Sequence, residues 1–127
     1  LPRLRLLCVE DDHFVREMLV KLLRTLGQSA TAVGTISEAM QSFAEVHFDV
    51  VITDLRLQGE HGEDLTRRLR RQRAIPVIWI TGYDDGRDLS ELDAEAAPTF
   101  LLPISLEGWS DALGIAVAEL VAQRSRT

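Results

Sequence analysis

The sequence predicts a doubly wound α/β domain, a five-stranded parallel sheet covered by helices on both faces. Three observations predict it. Short apolar runs alternate with helix-period segments five times along the chain. The runs are apolar at nearly every position, the pattern of strands buried on both faces. The length, 127 residues, suits one domain with one layered core.

The elements follow in order. Leu6-Leu7-Cys8-Val9 is the first strand. A helix follows with Phe14, Val15, Met18, Leu19, Leu22, Leu23 and Leu26 as its apolar face, and Gly27 ends it. Residues 29–33, all small or modest in size, read as a weak strand at a sheet edge. Thr35 with Glu38 three residues on forms a capping box for a second helix, which buries Ile36, Ala39, Met40 and Phe43. Val50-Val51-Ile52 is the third strand, followed by a loop with Gly59 and Gly62. The third helix turns Leu65 and Leu69 inward and Arg67, Arg68, Arg70, Arg71 and Arg73 mostly outward. Val77-Ile78-Trp79-Ile80 is the fourth strand. An acidic helix over about 85–96 presents Leu89, Leu92 and Ala96. Thr99-Phe100-Leu101-Leu102 is the fifth strand. A last helix from Ser105 to Gln123 buries Leu106, Trp109, Leu113, Val117, Leu120 and Val121. Right-handed crossovers wind these units into a three-layer sandwich of the flavodoxin-like order 2-1-3-4-5, with its switch point between strands 1 and 3. The domain is expected over 1–122, with 123–127 a polar tail or the start of a linker.

Composition narrows the function. The net charge of -6 opposes nonspecific binding to nucleic acid or to an anionic membrane. One cysteine, Cys8, excludes an internal disulfide and a Cys-rich zinc site. No apolar run approaches roughly 18 residues and no signal-peptide pattern opens the chain, so a cytoplasmic protein is expected. Of the 14 basic residues 13 are Arg, and Lys21 is the single Lys. Phosphate-cradling glycine loops and the nucleophile-elbow motif are absent, and His13, His47 and His61 show no metal-ligand spacing.

In doubly wound sheets ligands bind beyond the carboxyl ends of the strands at the switch point. Strand 1 is followed there by Glu10, Asp11 and Asp12, strand 3 by Thr53 and Asp54, strand 4 by Thr81 and Gly82, and strand 5 by Pro103. Acids after strands also cap helices, and Asp12 reads as such a cap. Glu10 and Asp11 with Asp54 on the neighbouring strand read as a site instead. Carboxylates so gathered repel one another, and a hard cation such as Mg2+ relieves the repulsion. With a hydroxyl at Thr81, the site suits an incoming phosphoryl group, a carboxylate acting as nucleophile.

These residues resemble those of a response-regulator receiver domain: Glu10-Asp11, Asp54-Leu55-Arg56-Leu57 followed by Gly62, Thr81-Gly82, and Phe100-Leu101-Leu102-Pro103-Ile104, in order along essentially the whole chain. The resemblance implies that Asp54 accepts a phosphoryl group from a sensor histidine kinase or phosphotransfer protein. It implies Mg2+ held by Glu10, Asp11, Asp54 and the backbone carbonyl of Arg56. It makes Thr81 the switch hydroxyl, Gly82 the small residue beside it, and Phe100 the switch aromatic. The fourth helix, fifth strand and fifth helix would form the surface for an output partner or a homodimer, and the chain itself would not be an enzyme beyond self-catalysed phosphotransfer and autodephosphorylation.

Two departures stand out. The family carries a lysine directly before the proline after strand 5. Here an ungapped alignment puts Leu102 in its place and Thr99 in the aromatic's, whereas a one-residue deletion keeps Phe100 as the aromatic and drops the lysine. The deletion is preferred because it matches both Phe100-Leu101 and Pro103-Ile104. Lys21 lies in the first helix, and Arg56 and Arg87 are the candidates to replace the cation. Gln58 stands where the family usually has proline. The loss of the lysine supports an alternative, a pseudo-receiver that acts as a phosphorylation-independent interaction module. An aspartyl phosphohydrolase is disfavoured, because its acid–base residue would fall at Arg56.

Overall fold

The structure is a computed structural model that describes residues 3–54, 56–57, 59–81, 99–103 and 109–125, with only the backbone described at Arg56, Thr81, 99–103, Trp109 and Ser125. In chain order the elements are β1 Arg5–Val9, α1 His13–Thr25, β2 Ser29–Val33, α2 Ile36–Glu45, β3 Val50–Asp54, β4 Arg56–Leu57, β5 Glu60–His61, α3 Gly62–Arg70, β6 Val77–Thr81, β7 Thr99–Pro103 and α4 Trp109–Ser125. The main sheet runs β2-β1-β3-β6-β7 with every pairing parallel. Setting aside β4 and β5, which pair only with each other, this is the expected order 2-1-3-4-5. The two-residue ribbon is an addition to the expected plan, and it turns at Gly59 with a φ of 71°.

Side-chain alternation explains why the strands read as continuous apolar runs. Leu6, Cys8, Val50, Ile52, Ile78 and Ile80 face one core with Leu19 and Leu23 of α1 and Leu113, Val117 and Leu120 of α4. Leu7, Val9, Val51, Val77 and Trp79 face a second core with Ile36, Ala39 and Phe43 of α2 and Leu65 and Leu69 of α3. Each strand therefore serves two cores, and each buried aliphatic side chain contributes about 1.5–3 kcal/mol. β2 lies at the sheet edge, as its small residues predict, and its residues are mostly half-buried.

The helix ends follow local chemistry. The Asp12 carboxylate caps α1, accepting from the Phe14 N–H at 2.8 Å and the Val15 N–H at 3.1 Å. Gly27, at a φ of 82°, closes α1: Gln28 N–H donates to the Leu23 carbonyl at 3.0 Å and Gly27 N–H to the Arg24 carbonyl at 2.9 Å. That pair is the Schellman motif, which needs the left-handed residue. Thr35 caps α2 through the Glu38 N–H at 3.1 Å, and Glu60 adds a second acceptor for the Ile36 N–H at 3.4 Å.

Two expectations need correction. Phe14, Met18 and Leu26 do not belong to the buried face of α1, being 80%, 41% and 36% exposed. Leu19 and Leu23 fill the space over the sheet, and Phe14 and Met18 stand one turn apart on a stripe turned away from it. The last helix extends past Gln123 to Ser125, so the start of the supposed tail is helical. Its final turn is fixed by an ion pair of 2.6 Å between Arg124 and Asp49. The arginines of α3 and the turn after it lie mostly outward, as expected, with Arg67, Arg68 and Arg71 exposed. Arg67 pairs with Asp64, Arg70 donates to the Ile75 carbonyl, and Arg73 donates to the Phe48 carbonyl and lies 4.9 Å over the Phe43 ring. The expected helix over 85–96 lies outside the described residues, as does the stretch 105–108 of the last helix. No helix among the described residues is long and apolar enough to cross a membrane.

Asp49 ties the amino-terminal edge of the sheet together. Its carboxylate accepts from the Arg5 N–H at 2.8 Å and pairs with Arg124, and its own N–H donates to the Arg5 carbonyl at 2.8 Å. Replacing it removes the side-chain acceptor of the Arg5 N–H and the ion pair with Arg124, both reached by solvent. Asp49→Ala is expected to lower unfolding stability by about 0.5–1.5 kcal/mol in urea titrations, without loss of the native spectrum.

Candidate functional site

β1 and β3 are parallel neighbours, with Val9 in register with Thr53. Glu10 and Asp11 follow the end of β1, and Asp54 is the last residue of β3. The three residues offer carboxylate oxygens that all lie within 4.8 Å of one another. This is the group foreseen from the sequence. Asp12 stands apart from it as the cap of α1, also as foreseen.

The three acids differ in surroundings. Asp11 is exposed and Asp54 half-buried. Glu10 is only 3% exposed. Its Oε1 accepts from the Asp12 N–H at 3.0 Å, while its Oε2 is buried with no hydrogen-bond partner among the described residues. Burial is the main force pushing the Glu10 carboxyl up, from an ordinary 4.5 to about 8; the Asp12 N–H counteracts it, and the nearby Asp11 and Asp54 add to it. An acid so placed either keeps its proton or gives it up to a cation. An all-oxygen donor set with an unused buried oxygen fits a hard divalent ion.

Asp54 is held from behind. The Thr53 hydroxyl, fully buried, donates to the Asp54 carbonyl at 3.1 Å. Gly62, the first residue of α3, brings its backbone against that carbonyl so closely that a Cβ would overlap it; the same Cβ would stand 3.0 Å from the Trp79 ring. The sequence marked Gly62 as a loop glycine. Its close approach to Asp54 is a tertiary fact that no local signal carries.

Other anticipated residues fall as follows. The Arg56 backbone lies in β4, paired with His61, two residues beyond Asp54. Leu57 beside it is buried and anchors the ribbon in the core of α2 and α3. Thr81 ends β6 in register with Pro103, and Phe100 pairs with Ile78. The pairing from Thr99 to Pro103 is unbroken, and Leu102 is in register with Ile80. The side chains of Thr81, Phe100 and Arg56 lie outside the described groups, as do Gly82, Gln58 and Arg87 altogether. Arg16 was missed by sequence reasoning: its guanidinium donates to the carbonyls of Glu10 and Asp11 at 2.8 and 3.2 Å.

Comparisons with known proteins agree with this geometry. The family model of the response regulator receiver domain matches residues 6–104. The DNA-binding response regulator MtrA of Mycolicibacterium smegmatis is 36% identical over 87 residues, 68% of this chain and 38% of that protein. The sensory transduction protein RegX3 of the same organism is 38% identical over 87 residues, 68% of this chain and 36% of that one. The matched stretch thus spans less than two fifths of either relative. Among solved structures, a response regulator receiver domain protein from Clostridium thermocellum superposes with a TM-score of 0.82 at 22% identity, covering 96% of this chain and 97% of that one. The response regulator protein TrrA from Thermotoga maritima, solved in complex with Mg2+-BeF, superposes with a TM-score of 0.77 at 27% identity, covering 91% and 97%.

The raised Glu10 value carries a signed prediction. Folding favours the protonated form, so this contribution to stability is fully present below pH 4.5 and lost as pH rises through about 8. In metal-free buffer, Glu10→Gln is therefore expected to gain stability over the parent chain progressively across that range, measured by unfolding at a series of pH values. Parallel curves would refute the assignment.

Proposed function

This chain belongs to the response regulator receiver domain family, and we propose that it works as the phosphoacceptor of a two-component signalling system, with Asp54 taking the phosphoryl group. The observation that carries the reading is the gathering of Glu10, Asp11 and Asp54 at the mouth of β1 and β3. In the proposed step an Asp54 carboxylate oxygen attacks phosphorus, and the P–N bond to a donor imidazole breaks with its electron pair left on nitrogen. Glu10, Asp11, Asp54 and the Arg56 carbonyl would hold Mg2+, which supplies positive charge for the phosphoryl oxygens. The Thr81 hydroxyl would donate to the new oxygens. Modification adds about two negative charges at one strand mouth, and the surroundings rearrange to accommodate them. Phe100 would follow Thr81 as the switch aromatic.

The rest of the notional circuit follows from this reading. The donor is a sensor histidine kinase or a phosphotransfer protein in the cytoplasm. Self-catalysed transfer and hydrolysis are the only chemistry assigned to the chain. The signal would leave toward an output domain or partner, or a second copy, through the surface that the resemblance assigns to the fourth helix, fifth strand and fifth helix, of which β7 and α4 are described. The relative MtrA is a DNA-binding regulator over a much longer chain; by analogy any DNA contact belongs to an output region and not to this acidic domain. With Leu102 before Pro103, the phosphoryl group lacks the usual lysine partner, and the switch depends more heavily on the acids and their cation.

The decisive experiment is intact-mass measurement after incubation with acetyl phosphate and Mg2+. One added phosphoryl group is expected, absent in Asp54→Asn and absent when the metal is chelated. No gain from acetyl phosphate or from a histidine kinase would favour the phosphorylation-independent interaction module instead.

The exposed Phe14 and Met18 lie on α1, the helix that follows the acidic pair. Their apolar surface suits a kinase or phosphotransfer helix that must approach Asp54. Phe14→Ala is expected to slow transfer from a protein donor that labels the parent chain, by about fivefold or more, since a buried interface aromatic is often worth over 1 kcal/mol. Labelling by acetyl phosphate should be unchanged.

A further inference from the structure

Arg16 lies in the first turns of α1, after the Asp12 cap, and side chains there lean back toward the helix start. Its Nη1 reaches the loop that carries the acidic pair, donating to the Glu10 carbonyl at 2.8 Å and the Asp11 carbonyl at 3.2 Å. The Glu10 N–H is held from the other side, donating to the Val33 carbonyl at 3.0 Å. The room for the guanidinium comes from Gly34, just past β2: a Cβ there would stand 2.9 Å from Arg16 Nη1. The backbone of Glu10 and Asp11 is thus held by α1 through Arg16 and by the end of β2 through Val33, and Gly34 next to Val33 leaves space for the guanidinium.

We propose that Arg16 is a positioning residue of the phosphotransfer site: its guanidinium, admitted by Gly34, clamps the Glu10 and Asp11 carbonyls and holds the two carboxylates in place for a divalent cation. The inference rests on the reading that Glu10, Asp11 and Asp54 bind Mg2+. It assigns the arginine a structural hold on the ligands, and the two possible roles of its charge pull in opposite directions. If Arg16 acted only as a nearby positive charge it would repel Mg2+, and its removal would tighten binding. If it clamps the loop, its removal lets the acids relax apart and binding weakens. Groups that orient metal ligands from behind commonly carry a tenfold effect or more on affinity.

The test is Mg2+ titration by calorimetry on the whole chain, with thermal melting as the check on folding. Arg16→Ala is expected to weaken Mg2+ binding on the order of tenfold. Arg16→Lys, which keeps a donor and the charge, should recover part of that loss. Gly34→Ala leaves the arginine but occupies its space, so it should also weaken binding, and the double variant should be no weaker than Arg16→Ala alone. In acetyl phosphate labelling, the loss should appear as a higher Mg2+ requirement, with the limiting rate close to that of the parent chain. Unchanged or tighter Mg2+ binding in folded Arg16→Ala overturns the proposal. If that variant does not fold, Gly34→Ala decides, and parent-like affinity there overturns it. A parent chain that is labelled normally while the variants match it leaves the phosphoacceptor reading standing and removes only the role of Arg16. A parent chain that binds no Mg2+ removes both.

Discussion

Glu10, Asp11 and Asp54 bring three carboxylates within 4.8 Å at the mouth of two adjacent strands. The register of β1 with β3 fixes that proximity. Bare ionised carboxylates so close together repel one another, and one of them, Glu10, is buried as well. Burial first, and the neighbouring Asp11 and Asp54 with it, push the Glu10 pKa up, which is the direct expression of this conflict. The Asp12 N–H, reaching Glu10 Oε1, moderates it, while Arg16 bonds the carbonyls behind the pair. Among the described residues, what remains unsatisfied is Glu10 Oε2, the atom a hard cation would use.

The two cores exist in a form that holds these strand ends still. Alternate residues of β1, β3 and β6 go to opposite layers, so neither layer can shift without disturbing the other. α3 begins directly against the Asp54 carbonyl because Gly62 has no side chain. At the opposite edge Asp49 joins β1 to the last turn of α4. The domain is thus pinned at its amino-terminal edge while its carboxyl edge carries the strained charge, an arrangement suited to a site that rearranges locally.

Much of this was legible in the sequence. The strands announced themselves because burial on both faces makes each a short, continuous apolar run bounded by polar or turn residues. The acids Glu10, Asp11 and Asp54 were legible because they directly follow apolar runs, and Asp12 and Thr35 because capping is local chemistry. Phe14 and Met18 were not, since helical periodicity fixes which residues share a stripe but not how wide a stripe the sheet can cover. The ribbon at Arg56–Leu57 and Glu60–His61, the approach of Gly62 to Asp54, the seat of Arg16 against Gly34 and the Asp49–Arg124 pair all join residues through space. Nothing in local spacing encodes them. The lysine missing before Pro103 was visible in the sequence itself.

The most direct test of the account is where a divalent ion sits. Crystals of the chain soaked in Mn2+, an anomalous scatterer that takes the place of Mg2+, would be measured for anomalous difference density. The account predicts one strong peak at about 2.1 Å from carboxylate oxygens of the Glu10, Asp11 and Asp54 cluster. An ion bound elsewhere, for instance on the Asp12 cap, with no density among those three acids, would contradict it.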